Sequence, residues 1–222
     1  MLYRAALFDL DGTLLNTLDD LTCAVNHALS ESGCPVRTKA QVRASIGQGV
    51  RHLIQTSLPA GAPADLQEHV FLNFRSYYAQ HYKDATTPYE GIPALLRHLR
   101  TRGIRCAVIS NKSDVEVQKL INHFFPGEFD AVVGEQVDAG IRKKPAPDLV
   151  NLTLEQLDMK PKDALYIGDS DTDIETAKNA QCDCASVTWG YRSREFLRAH
   201  GATTLVDNPQ ELEHLITGEE VH

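Results

Sequence analysis

Two aspartates two residues apart open the turn Asp9-Leu10-Asp11-Gly12-Thr13, and three later segments carry a matching set of reactive side chains: Ser110-Asn111, Lys144-Pro145 and Gly168-Asp169-Ser170-Asp171-Thr172-Asp173. A carboxylate is a useful nucleophile toward phosphorus, because the acyl phosphate it forms is itself readily hydrolysed by water. Asp9 suits that task. A second carboxylate at Asp11 could protonate a leaving oxygen as general acid and afterwards deprotonate the attacking water. Lys144 would supply fixed positive charge to phosphoryl oxygens, with Ser110 and the backbone N–H groups of Leu10 to Thr13 as hydrogen-bond donors. Gly12 would permit the tight turn that lets backbone approach a phosphate.

Taken singly, each segment has a plainer explanation. Asp-Leu-Asp-Gly is a polar turn or a calcium-loop fragment, although the Gly at the sixth position and the Glu at the twelfth that an EF-hand loop needs do not follow. Ser110-Asn111 alone is a helix cap and Lys144 alone a solvated lysine. Gly168 to Asp173 could be no more than a cap-rich helix start. What changes the odds is where the segments fall.

Short apolar runs at Tyr3–Phe8, Arg105–Ile109, Ala131–Val133, Ala164–Ile167 and Ala185–Val187 have the pattern of buried strands. Between them come helical repeats: Ile92, Leu95, Leu96 and Leu99 before Gly103, then Val115, Val117, Leu120 and Ile121 on one inner face. This alternation from about residue 91 predicts an α/β fold, a Rossmann-like parallel sheet with helices on both faces. The four segments then lie at the C-terminal ends of strands, and parallel strands bring those ends together. Asp9, Asp11 and Asp169 should crowd into one small volume, where like charges need a cation. Oxygen donors without thiolate or imidazole neighbours favour a hard ion, Mg²⁺ first.

Residues 16–83 contain no convincing strand and are expected to be a helical cap, inserted into a core made of 1–15 and 84–222. Thr17 and Asp20 have capping-box spacing ahead of a stripe of Leu18, Leu21, Val25, Ala28 and Leu29, which Gly33 and Pro35 end. Further helices are expected after Thr38, after Gly49 and from Pro63 to Tyr82. An insertion just past the first strand would overhang the crevice where open α/β sheets bind ligands, as a movable cap.

The 222-residue chain is 42% hydrophobic, with 22 basic against 30 acidic residues and a formal charge of −8. That balance argues against disorder and against a nucleic-acid partner. No stretch approaches the apolar length needed to span a bilayer, and the start lacks signal-peptide character, so a cytoplasmic protein without a membrane partner is expected. Five cysteines, Cys23, Cys34, Cys106, Cys182 and Cys184, form no CxxC pair and are expected to be small buried residues in a reducing compartment.

Together, in this order and over nearly the whole chain, the four segments resemble the motifs of the haloacid dehalogenase superfamily. The resemblance implies Asp9 as nucleophile, Asp11 as acid/base whose main-chain carbonyl also reaches the metal, Ser110 as phosphate ligand, Lys144 as charge stabiliser and Asp169 as direct metal ligand. Asp173 would hold the metal's waters or Lys144 from behind; Asp171 has no required counterpart. An acid at Asp11 favours phosphate-ester hydrolysis over carbon–halogen or phosphonate cleavage. Leu14-Leu15-Asn16-Thr17, Gly47-Gln48-Gly49, Pro88-Tyr89-Glu90-Gly91, Ser110-Asn111-Lys112, Lys144-Pro145-Ala146-Pro147 and Thr188-Trp189-Gly190-Tyr191 are similar to the phosphoglycolate phosphatase group. That implies a small phosphorylated metabolite as substrate. Arg51, near the Gly47-Gln48-Gly49 turn, is a candidate contact for a substrate carboxylate and Arg43 a second; Asn111 and Gly47 are further candidate contacts, and a monomer or homodimer is expected. Pyrophosphatases, sugar phosphatases and phosphosugar mutases share this cap type and stay open. From another class, receiver domains have a similar site, but there the aspartyl phosphate is meant to last.

Overall fold

The computed structural model describes residues 2–136 and 139–218, which fall into two compact units: Met1–Leu15 with Pro88–His222, and Asn16–Thr87. The first unit is built on a six-stranded parallel sheet of β1 (Ala5–Phe8), β4 (Arg105–Ser113), β5 (Ala131–Glu135), β6 (Ala164–Gly168), β7 (Asp183–Val187) and β8 (Leu205–Val206). Their order is β5-β4-β1-β6-β7-β8. The chain leaves β1 for β4 and β5 on one side, then returns to β6 on the other, so β1 marks the switch point of the sheet. In-register pairing sets Phe8 beside Val108 of β4 and Ile167 of β6. Asp9, Ser110 and Asp169 follow those positions by one or two residues, and the order of the strands therefore gathers them at one edge.

Every residue of β1 and of β6 is buried, as in a sheet covered on both faces. Ala5, Leu7, Ala107, Ile109, Ala131, Val133 and Tyr166 share one face and pack on α7 (Asp148–Leu157) through Leu149, Val150, Leu154 and Leu157, with Ala177 of α8 (Asp171–Asn179). α5 (Ile92–Thr101) packs on β4, α6 (Asp114–Phe124) on β4 and β5, and α10 (Pro209–Thr217) on α5 and β8. α9 (Arg194–Ala199) and β8 had no marked apolar pattern to announce them, being six and two residues long. Val115 departs from expectation: it is 65% exposed, because only Val117, Leu120 and Ile121 of α6 turn inward.

The second unit is helical: α1 (Leu18–Glu31), α2 (Lys39–Ser45), α3 (Val50–Ser57) and α4 (Ala64–His81). α1 packs on α4, with Leu21, Ala24, Val25, Ala28 and Leu29 buried on one helix and Val70, Phe74 and Tyr78 on the other. α2 starts with a capping box between Thr38 and Gln41. Thr17 and Asp20 form none, and the N-cap Thr17 makes no side-chain capping bond to α1. The carboxylate of Asp20, only 3% exposed, accepts instead from the main-chain N–H of Ala85 (2.9 Å) and Thr86 (2.9 Å) and from Thr86 Oγ1 (2.7 Å). Those bonds tie residues 84–87 to the helices, and the return crossing falls at Thr87–Pro88 rather than after residue 83. The two crossings, β2 (Leu15–Asn16) and β3 (Thr87–Pro88), pair as a two-stranded ribbon.

Candidate active site

The turn after β1 is built around one carbonyl. Thr13, Leu14 and Leu15 all direct their N–H groups to Leu10 O, at 3.3, 3.0 and 3.0 Å, while Asp9 N still continues the ladder to Ile167 O at 2.8 Å. Gly12 has φ +91°, and a Cβ there would lie 2.4 Å from Asp169 Oδ2. From the opposite side a Cβ on Gly190 would lie 2.3 Å from the Asp169 Cβ. Glycine at both positions lets two stretches of backbone close on one carboxylate.

Asp9, Asp169 and Asp173 each present an oxygen within 4.8 Å of the other two, and all three residues are buried. Lys144 Nζ bridges two of them, 2.8 Å from Asp9 Oδ1 and 2.8 Å from Asp173 Oδ1. Asp173 is further held by Tyr166 OH on Oδ1 (3.2 Å) and by Ser170 Oγ (2.6 Å) and N (3.2 Å) on Oδ2, the last as part of the capping box that starts α8. Both its oxygens are thus engaged by donors from the protein. Asp169 Oδ2 accepts from Tyr191 N at 2.6 Å.

The carboxylate of Asp11 stands apart from that trio and pairs with Lys112 Nζ at 3.3 Å. Ser110 and Asn111 lie inside β4, not beyond its end, and both are buried. Ser110 Oγ accepts from Lys112 N at 3.2 Å. Asn111 turns its carboxamide to the main chain of Lys144, donating to its O at 3.0 Å and accepting from its N at 2.8 Å. The hydroxyl of Thr13 is buried without a hydrogen-bond partner among the described residues, and an orphaned hydroxyl of that kind costs about 1–3 kcal/mol unless something bound satisfies it.

The electrostatics follow from burial. Loss of water pushes the Asp9 carboxyl up to about 7, against the pull of Lys144 and with added repulsion from Asp173 and Asp11. Asp169 is likewise driven well above the usual carboxylate range by burial, then by Asp173 and Asp9, with Tyr191 N–H and Arg192 opposing. Burial works against the charge of Lys144, but Asp173 and Asp9 outweigh it and hold the ammonium protonated well above its ordinary range. An all-oxygen set of buried carboxylates that resist ionisation fits a hard divalent cation, whose charge would reverse the shift. Asp9 and Asp169, each engaged by one donor, are the better-placed ligands; Asp173 serves Lys144.

The family model for haloacid dehalogenase-like hydrolases matches residues 6–187, a span that begins in β1 and ends with β7. This chain belongs to that family. The hydrolase is 37% identical over 189 residues to a phosphoglycolate phosphatase of Aquifex aeolicus, covering 85% of this chain and 86% of the relative. It is 31% identical to an N-acetylmuramic acid 6-phosphate phosphatase of Pseudomonas aeruginosa, covering 96% and 94%. A crystal structure of a Lactobacillus delbrueckii subsp. bulgaricus protein superposes with a TM-score of 0.93 at 37% identity, over 99% of this chain and all of the other.

In this hydrolase the remaining expected contacts have other company. Arg51, in the helical unit, donates to Glu68 Oε2 at 2.7 Å across α3 and α4 and lies 4.0 Å from the centre of the Phe71 ring. Gly47, with φ +116°, sits in the turn between α2 and α3. Sequence reasoning gave no separate part to Lys112, Tyr166 or Tyr191. Lys112 and Tyr191 stood inside matched segments, so position alone could have raised them. Tyr166 looked like any apolar strand residue, and its bond to Asp173 had no sequence signal. All five cysteines are free thiols, but only Cys106 is buried as expected; Cys34, Cys182 and Cys184 are half-buried, and Cys23 is exposed, on the outer side of α1 between Thr22 and the buried Ala24.

Proposed function

We propose that this protein is a magnesium-dependent phosphatase that hydrolyses a small phosphate monoester through a phosphorylated Asp9. The observation that carries the reading is the pairing of Asp9 with Lys144 Nζ at 2.8 Å, beside Asp169, at the switch point of the sheet. Mg²⁺ bound by Asp9 and Asp169 would neutralise the carboxylates and the phosphoryl oxygens. The free oxygen of Asp9 attacks phosphorus, the P–O bond to the leaving alcohol breaks, and Asp11 delivers its proton to that oxygen. Asp11, now a carboxylate, then takes a proton from water, whose oxygen attacks phosphorus and expels Asp9 with release of phosphate. Lys144 keeps its charge on the transferring group throughout, and Ser110 supplies a hydrogen bond to its oxygens. Asn16–Thr87, inserted directly behind the turn that carries both acids, serves as the cap that excludes water during transfer.

The relatives' names point to 2-phosphoglycolate as the substrate, and five free thiols suit a reducing, cytoplasmic setting. The purified protein, assayed for phosphate release from 2-phosphoglycolate, N-acetylmuramic acid 6-phosphate, pyrophosphate and hexose phosphates with Mg²⁺, should turn over many times and prefer 2-phosphoglycolate. One stoichiometric phosphorylation without turnover, or isomerisation of a hexose phosphate with little phosphate release, would overturn it.

A further inference from the structure

We infer that Asn111 is a positioning residue whose carboxamide, bonded twice to the main chain of Lys144, fixes where the Lys144 ammonium meets Asp9. Lys144 belongs to the stretch between β5 and α7, so no strand ladder or helix holds its backbone. Asn111 does, accepting from Lys144 N at 2.8 Å and donating to Lys144 O at 3.0 Å. Asn111 itself lies in β4, whose ladder to β1 runs in register up to Phe8 and Val108. The next carbonyl, Pro145 O, accepts from Asn179 Nδ2 at 2.9 Å, at the end of α8. A turn bond from Ala146 N to Lys143 O at 3.0 Å spans Lys144, and the two side-chain amides tie that turn to β4 and α8. Lysine has a long flexible stem, so the spot its ammonium occupies is only as well defined as the backbone beneath it. Misplacing a group that contacts the reacting atoms by about 1 Å can cost on the order of 100-fold in rate.

The same reciprocal bond recurs in the helical unit, where Asn26 donates to Arg37 O at 2.9 Å and accepts from Arg37 N at 2.7 Å. Asn26→Ala removes equivalent bonds without touching Lys144, and is a control for lost stability alone.

The meaning of turnover here rests on the function proposed above; the placement of Lys144 does not, and the test separates the two. Reductive methylation followed by mass spectrometry reads lysine accessibility without catalysis. In the native protein Lys144 and Lys112, each 3% exposed, should both be protected. Asn111→Ala should raise labelling of Lys144 about 10-fold or more relative to Lys112, and Asn26→Ala should not. In turnover, Asn111→Ala should lower kcat about 10- to 100-fold with KM changed less than about threefold. The same change made on Lys144→Ala should cost less than about twofold more, since the route through Lys144 is gone. Lys144 staying as protected as Lys112, or losses from Asn111→Ala and Lys144→Ala that multiply, overturns the inference. If the native protein releases no phosphate from any ester, the proposed function fails and the labelling result alone decides this one.

Discussion

Asp9→Asn separates the role of the site in catalysis from its cost to the fold. The substitution keeps shape and an acceptor oxygen for Lys144 Nζ but removes an ionisable group that burial has pushed from its ordinary value of 3.8 up to about 7. Between those two values the folded protein holds a proton on Asp9 that the unfolded chain has released. Stability therefore falls as pH rises through that window, by about 1.4 kcal/mol per unit, and the loss is complete above the folded pKa. From about pH 5 to about pH 7 the native protein should lose about 2 kcal/mol relative to Asp9→Asn. Urea denaturation in EDTA, run on both proteins across that range, reads the difference directly. The variant should be the more stable of the two at neutral pH while releasing no phosphate. Mg²⁺ should then narrow the gap, because a cation that binds only the folded site stabilises the native protein by mass action and the variant less. A stability difference that does not change between about pH 5 and pH 8 would refute the account of a desolvated, repelled carboxyl at Asp9.

Four further outcomes follow from named contacts. EDTA should stop phosphate release and Mg²⁺ restore it, and Asp169→Asn should require far more Mg²⁺ for the same rate; a Mg²⁺ titration of initial rates shows either. Gly12→Ala places a Cβ 2.4 Å from Asp169 Oδ2 at φ +91°, so kcat should fall on the order of 100-fold, with about 1–2 kcal/mol of backbone strain visible in denaturation. Asp20→Ala leaves the N–H groups of Ala85 and Thr86 and the Thr86 hydroxyl without their acceptor, and should destabilise by about 2–4 kcal/mol, measured by the urea midpoint. Arg51→Ala should leave the urea midpoint nearly unchanged, since its partner Glu68 is solvent-exposed; a KM rise for 2-phosphoglycolate but not for an aryl phosphate would show that Arg51 also meets the substrate carboxylate.

The parts of this site that could be seen in the sequence are those whose signal is local. A short apolar run stopped by Asp9-Leu10-Asp11-Gly12 shows a buried strand and its turn, because the burial of β1 and the need for positive φ at Gly12 are each written in adjacent residue types. Thr38 with Gln41 is the same kind of signal and forms its box; Thr17 with Asp20 has like spacing and does not. The difference lies in what is far away: Asp20 meets two N–H groups and a hydroxyl some 65 residues later, and those bonds outbid the local cap. Asn111 repeats the lesson at the site. A parallel sheet brings Lys144 to it from 33 residues on, and its amide bonds the main chain there, a contact that no local pattern announces. Asp11 diverges from the other acids for a comparable reason, since Lys112 from the adjacent strand offers a buried positive charge on that side. Spacing along the chain therefore identifies which residues can take part, whereas strand order decides which partner each one finds. In this hydrolase that division leaves Asp11 beside Lys112 and the other acids around Lys144.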